Sequence, residues 1–289
     1  MAQITLSSVL ESSTALMRAG RWNTATTLLQ AITPASPAEH RAIAAALAEV
    51  AVDQDFAQHT DNADQALAVL EEALADSPDP VATWDLDFLH LRKDYGTALT
   101  AVGEDTQLET EDPDPSHAKG PNAEDAAGQR GAAGAGPALA KRVQQLRDTA
   151  PDDARSGHAA FYAGVIADNL CELPTDAFAA YTAARELGER SNDDLLVSLA
   201  LRHLGDHAHT AGNLALARTH WERSTELRQK VGHLLGALAQ QTLLAVLAKD
   251  EGNPTAATAL ATEVNRWSHQ ANLPWLEAQT AAILKETAR

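Results

Sequence analysis

The eight residues Arg202-His203-Leu204-Gly205-Asp206-His207-Ala208-His209 hold three imidazoles, a carboxylate and a guanidinium. On a helix, His203 and His207 stand one turn apart and share a face, the spacing of paired imidazole ligands to zinc. No Glu follows His203 to act as general base, and Asp206 lies on another face. Asp206 and His209, three apart, are spaced to pair, with Arg202 beside them. That second grouping reads as a polar face turned to solvent or to a partner. The single cysteine, Cys171, rules out an internal disulfide and any multi-cysteine zinc site, and its apolar neighbours mark a small buried hydrophobe. Glu71-Glu72 and Asp152-Asp153 read as solvated or helix-starting charges rather than a catalytic dyad. The expectation is a protein with no catalytic residues, no metal and no cofactor.

The segments that must position these groups are marked by glycine. Leu16-Met-Arg-Ala-Gly20-Arg-Trp-Asn-Thr-Ala25, Ala208-His-Thr-Ala-Gly212-Asn-Leu-Ala-Leu-Ala217 and Ala248-Lys-Asp-Glu-Gly252-Asn-Pro-Thr-Ala-Ala257 share one pattern. An apolar residue precedes the Gly by four positions and an Ala follows it by five. Gly supplies the left-handed backbone that ends one helix before the next begins. Pro174, Pro254 and Pro274 mark helix starts, with Asn253 as a cap, and Gly188, Gly212, Gly232 and Gly252 mark helix ends. The C-terminal half then reads as helices near 138–149, 155–171, 174–188, 193–211, 214–231, 233–251, 254–271 and 274–287.

The N-terminal half follows the same plan. Helices are expected near 4–19, 22–32, 37–53, 63–75 and 81–102, the third opening on the capping box Ser36-Pro37-Ala38-Glu39. Trp84, Phe88, Leu91, Tyr95 and Leu99 form a buried stripe at helical spacing. No segment alternates with period two, so the fold class is all-α, an α-solenoid of antiparallel hairpins.

Composition agrees with that architecture. Hydrophobic residues make up 45% of the 289, but aromatics only 4%, so Ala and Leu must fill the interior. The formal charge of −18 opposes binding to nucleic acid or anionic lipid. No window approaches the roughly 20 apolar residues of a membrane span, and the chain reads as soluble and cytoplasmic. Residues 103–137 are acidic and then rich in Gly, Ala and Pro, which predicts a disordered linker between an N-terminal domain, 1–102, and a C-terminal domain, 138–289.

Leu204-Gly205, Ala208, Gly212, Ala217, Trp221, Ser224 and Leu227 together resemble the tetratricopeptide repeat. Leu244, Ala245, Ala248, Gly252, Ala257, Ala261 and Val264 fit the next copy. Ala177, Tyr181, Ala184 and Leu187 fit the preceding one, and Ser13, Leu16, Gly20, Ala25, Leu29 and Ile32 fit the first hairpin. Gly212 and Gly252 are 40 positions apart, against about 34 for the family's usual repeat. That longer variety is similar to repeats found in bacterial transcriptional regulators. The resemblance implies a concave groove lined by Arg202, Asp206 and His209 from one unit and Thr242, Val246 and Lys249 from the next. Asp168 or Asn169 joins them from the preceding unit. Trp221 is expected in the inter-helix core, and Trp267 and Trp275 are expected to seal the C-terminal end. The implied function is non-enzymatic capture of a protein or peptide, with the acidic charge favouring a basic segment. A regulatory sensor for a small molecule or signalling peptide is the alternative, and a metal enzyme built on His203, His207 and His209 a remote one.

Overall fold

The computed structural model describes residues 4–109 and 125–287, and among them finds thirteen helices and no strand. They are α1 (Leu6–Arg18), α2 (Trp22–Gln30), α3 (Pro37–Gln58), α4 (Ala63–Asp76), α5 (Pro80–Glu109), α6 (Asp125–Thr149) and α7 (Asp153–Cys171). The chain continues through α8 (Pro174–Ser191), α9 (Asp194–Thr210), α10 (Leu214–Lys230), α11 (Leu234–Asp250), α12 (Pro254–Ala271) and α13 (Pro274–Thr287). The fold is an all-α solenoid of antiparallel hairpins.

Local chemistry accounts for the corners. Gly20, Gly212, Gly232 and Gly252 have φ between 71° and 77°, a region that costs a side chain energy. At each corner the chain bends back to bond the helix it has just left, as in Asn213 N–H to the Ala208 carbonyl at 2.9 Å. The next residue then caps the following helix: the Asn213 and Asn253 side chains accept from Leu216 and Ala256 N–H, each at 3.1 Å. At the start of α3, Ser36 accepts from Glu39 N–H at 3.2 Å, while the Glu39 carboxylate accepts from Ala35 N–H.

Two expectations require correction. Gly188 does not end a helix. It lies inside α8, where a Cβ would come within 2.9 Å of Val197, and Asn192 makes the left-handed turn with φ 55°. Within the segment expected as a linker, α5 runs to Glu109 and α6 begins at Asp125; residues 110–124 lie outside the described residues. Gly136 lies so close to the Leu170 carbonyl of α7 that no side chain fits there. Trp267 does not seal the C-terminal end. It stays 39% exposed, its indole donates to Glu263, and Leu273 and Leu276 bury against α11 and α12 instead.

Pairs of helices close on their smallest side chains. The Tyr181 ring sits directly over Gly164, and the Trp221 indole over Gly205, with no space for a Cβ at either glycine. Trp221 is 1% exposed, as expected of a core residue. One cluster runs from Trp84 and Tyr95 of α5 through Leu139, Phe161 and Tyr181 to Leu204 of α9, so both sides of the expected linker share a core.

Consecutive odd-numbered helices abut along most of the array: α1 with α3, α3 with α5, α5 with α7, α7 with α9, and α11 with α13. The array also curls toward that side. Leu235 in the first turn of α11 packs against the cluster of Val9, Met17 and Ile43 near the N-terminus. Arg18, at the end of α1, acts electrostatically on Asp193 and His233 at the starts of α9 and α11. The odd helices therefore line the concave wall.

The packing fixes the cost of filling a glycine. Gly205→Ala is expected to destabilise the protein by about 1–3 kcal/mol through overpacking against Trp221. Gly134→Ala, where nothing lies within 4 Å of the added Cβ, should instead stabilise by about 0.5–1 kcal/mol. Urea unfolding of the two variants measures both; equal effects would contradict this packing.

Candidate functional site

The concave wall carries a chain of polar contacts that crosses each seam between neighbouring odd helices from α3 onward. Between α3 and α5, Arg92 stands 3.9 Å from Asp53, which also accepts from the Trp22 indole at 2.7 Å. Between α5 and α7, Arg155 donates to Asp85 at 2.6 and 2.8 Å, and Asn169 donates to the Tyr95 hydroxyl at 2.7 Å. Between α7 and α9, His207 bonds Asp168 at 3.0 Å and His158 bonds Asp193 at 2.9 Å. Between α9 and α11, His209 bonds Asp250 at 2.8 Å; between α11 and α13, Lys249 bonds Glu286 at 2.6 Å.

Asp168 is the best-connected carboxylate of this wall. It also accepts from the Tyr181 hydroxyl at 3.0 Å, which joins α8 to the same contact. One turn earlier on α9, Arg202 reaches Asp206 at 3.5 Å and its carbonyl accepts from the Trp221 indole at 2.9 Å. His203 stacks on Tyr181 with ring centroids 4.6 Å apart and planes 13° from parallel. Burial, then the Arg202 and Arg228 guanidiniums, hold its pKa well below the usual imidazole range. Burial raises the Asp206 carboxyl above its ordinary value, against the pull of Arg202.

The histidines that the sequence groups together are divided among three partners. His203 belongs to Tyr181, His207 to Asp168 and His209 to Asp250. Asp206 pairs with Arg202 rather than His209, and lies 3.6 Å from His203 despite its different helical position. Among the described residues, no three His, Cys, Asp or Glu side chains converge as a metal-binding group.

Of the seven residues expected in the groove, Arg202, Asp206 and Asp168 come together. The other four lie elsewhere on α9 and α11. His209 and Lys249, equivalent positions in successive units, each reach for the next odd helix and spend their charge on a seam. Val246 packs among Ala245, Ala261 and Ile283 under α13, and Thr242 is 4% exposed with its hydroxyl on its own helix at Leu238. Val246 and Lys249 meet α13, which packs along α11. Asn169 and the aromatic Tyr95 belong to the wall as well, although helical periodicity marks Tyr95 only as core. Arg92 is hydrogen-bonded to Tyr162 and has no motif to announce it. A separate cleft of about 590 Å³ opens between α8, α9 and α10, lined by Arg185, Val197, His220 and Arg223, and includes none of the wall residues.

With known proteins the agreement is limited. No family model matches the chain, and no curated protein matches it. Among solved structures it is similar to a STAND protein (signal transduction ATPase with numerous domains) with a tetratricopeptide repeat sensor from Pyrococcus horikoshii. The identity is 14%, the match covers 96% of this chain and 38% of that one, and the TM-score is 0.46. It is also similar to aspartyl phosphate phosphatase F from Bacillus subtilis, at 10% identity over 100% of this chain and 84% of that one, with TM-score 0.47. This chain spans well under half of the STAND protein, and neither similarity is close enough to carry a function across.

The buried imidazoles make stability depend on pH in a defined direction. His233, the N-cap of α11, accepts from Gly236 N–H at 3.2 Å, and burial with the nearby Arg228 and Arg18 pushes its pKa down to about 3. A depressed imidazole stays neutral in the folded protein while the unfolded chain takes up a proton below about pH 6.5. Its contribution is complete above pH 6.5 and is lost as pH falls toward 3, reaching about 2 kcal/mol of lost stability by pH 5. His233→Asn, which restores the cap type of Asn213 and Asn253, should flatten the urea-unfolding pH profile between 7 and 5. A profile as steep as that of the unsubstituted protein would refute the assignment.

Proposed function

We propose that this protein is a non-enzymatic scaffold whose concave wall holds an extended segment of a protein or peptide. The observation that carries the reading is the juxtaposition of Asp168, His207, Arg202 and Asp206 across α7 and α9, half-buried on the inner side of a curled array. An inner wall of neighbouring helices offers a long surface to a chain laid across it, and its half-buried charges select the register. Asp168 and Asp206 each retain oxygen lone pairs beyond the bonds they make, which suits donors from Lys or Arg of a partner. The net charge of −18 speeds the approach of such a basic segment.

Selection from a displayed library of random peptides tests this without the natural partner in hand. Basic peptides should be enriched, and Arg202→Ala combined with Asp206→Ala should weaken their affinity at least tenfold by fluorescence polarisation. Circular dichroism and melting should stay close to the parent, because both residues of one partly exposed pair are removed together. Enrichment no better than for an unrelated acidic protein, or equal binding by the double variant, would overturn the proposal.

A further inference from the structure

In a chain with 40 acidic and 22 basic residues, a buried arginine without a carboxylate is conspicuous. Arg228 is such a residue: it is 3% exposed, and its side chain makes no hydrogen bond or ion pair among the described residues. Its Nε is sealed from solvent without a partner, and its Nη1 reaches over Gly236 in the first turn of α11. A Cβ at Gly236 would force Arg228 and His233 to shift. Burying an unpaired guanidinium costs several kcal/mol. A fold under no other demand would place a carboxylate beside it or replace it with an apolar residue.

The surroundings lack the same kind of group. The Arg18 side chain also has no bonded partner, its Nε is buried, and its charge is felt at His233. The imidazole of His233 uses Nδ1 to accept from Gly236 N–H, so in the neutral ring the proton is on Nε2, a further donor. Asp193, Asn213 and Asn253 supply a side-chain oxygen at the corresponding cap, and the first turn of α11 contains no acidic residue. One turn on, the Oε1 of Gln240 is taken by Ser224, while its Nε2 is buried and unpartnered.

Four buried side-chain nitrogens among the described residues lack a partner, and three of them are those of Arg18, Arg228 and Gln240. All are donors, and the two arginines both act on His233, so what the surroundings of that imidazole lack is an acceptor. The carboxylates within electrostatic reach are already engaged. Asp206, which acts on Arg228, is held by Arg202; Asp193, which Arg18 acts on, is held by His158; Asp53, also within reach of Arg18, is held by Trp22 and Arg92. The N-terminus of α11 adds its own partial positive charge.

We propose that Arg228, Arg18, His233 and the first turn of α11 form an anion-binding pocket at the inner wall, which takes a phosphate or carboxylate group of the ligand. Burial pushes the Arg228 pKa down to about 9, which leaves the guanidinium charged at neutral pH. The pocket shares the groove with the proposed peptide-binding wall but uses different residues and the opposite charge. It rests on that reading only for the route by which a ligand enters.

The test uses the full chain in buffer at fixed ionic strength, with chloride replaced stepwise by inorganic phosphate or, separately, by acetate. Melting temperature should rise saturably with at least one of the two, and calorimetric titration should give a matching dissociation constant. A response to phosphate alone identifies a phosphate ester as the ligand group, and a response to acetate alone a carboxylate; both support the pocket. Arg228→Met, which keeps the length of the stem, should melt higher than the parent without anion and lose the response. Arg18→Met should fold like the parent and bind at least tenfold more weakly. No response in the parent, a full response in Arg228→Met, or a lower melting temperature for that variant without anion would overturn the proposal. Phosphate binding by the Arg202→Ala and Asp206→Ala double variant should remain, which separates this result from failure of the peptide-binding wall.

Discussion

How closely two helices approach is limited by the bulkiest pair of side chains caught between them, and in this array that limit is set by glycine under an aromatic ring. Gly164 beneath Tyr181 and Gly205 beneath Trp221 bring α7 to α8 and α9 to α10 closer than any side chain at those glycines allows. In the next hairpin Ala245 and Ala261, both fully buried, make the approach with two small residues. Interiors transmit such constraints because they are close-packed and yield little. The repeated close approach sets the stagger from one hairpin to the next and brings successive odd helices into contact. Every polar contact of the inner wall depends on that alignment.

Alignment alone leaves charges facing one another across a narrow seam, and the sequence resolves each seam with a complementary pair. Arg92 and Asp53, Arg155 and Asp85, His207 and Asp168, His209 and Asp250, and Lys249 and Glu286 carry this from α3 to α13. Pairs at the surface contribute little to stability, but a pair at each seam penalises any register in which like charges meet. The wall is thus specified by electrostatics and held together by packing. Arg228 is the exception that gives the inner face a second character. Its charge sits among donors, in a protein whose outer surface is dominated by carboxylates.

The tetratricopeptide-like pattern was legible because it is made of packing residues. Ala217, Trp221, Ser224 and Leu227 are each buried, and Gly212 and Gly252 adopt the positive φ that their spacing predicts. Gly188 shows where such reasoning fails. A glycine is used either for its backbone freedom or for its lack of a side chain, and sequence position alone does not distinguish the two. Thr242, expected beside Arg202 and Asp206, is instead buried, and Val246 packs against a core cluster, for a related reason. Carrying the register of Arg202, Asp206 and His209 forward to Thr242, Val246 and Lys249 assumes that every unit has the same neighbours, whereas α11 lies beside the terminal helix α13.

The sequence by itself determined which segments are helical, where most of them turn, and which side of each meets its hairpin partner, because these follow from local propensity, capping and apolar spacing. Only the tertiary structure decided how the histidines are shared out, that α1 comes round to the start of α11, and that Arg18 and Arg228 both act on His233 without a carboxylate bonded to either. Those outcomes depend on the curvature of the whole array. Curvature accumulates from small rotations at each hairpin, and no short stretch of residues encodes the sum.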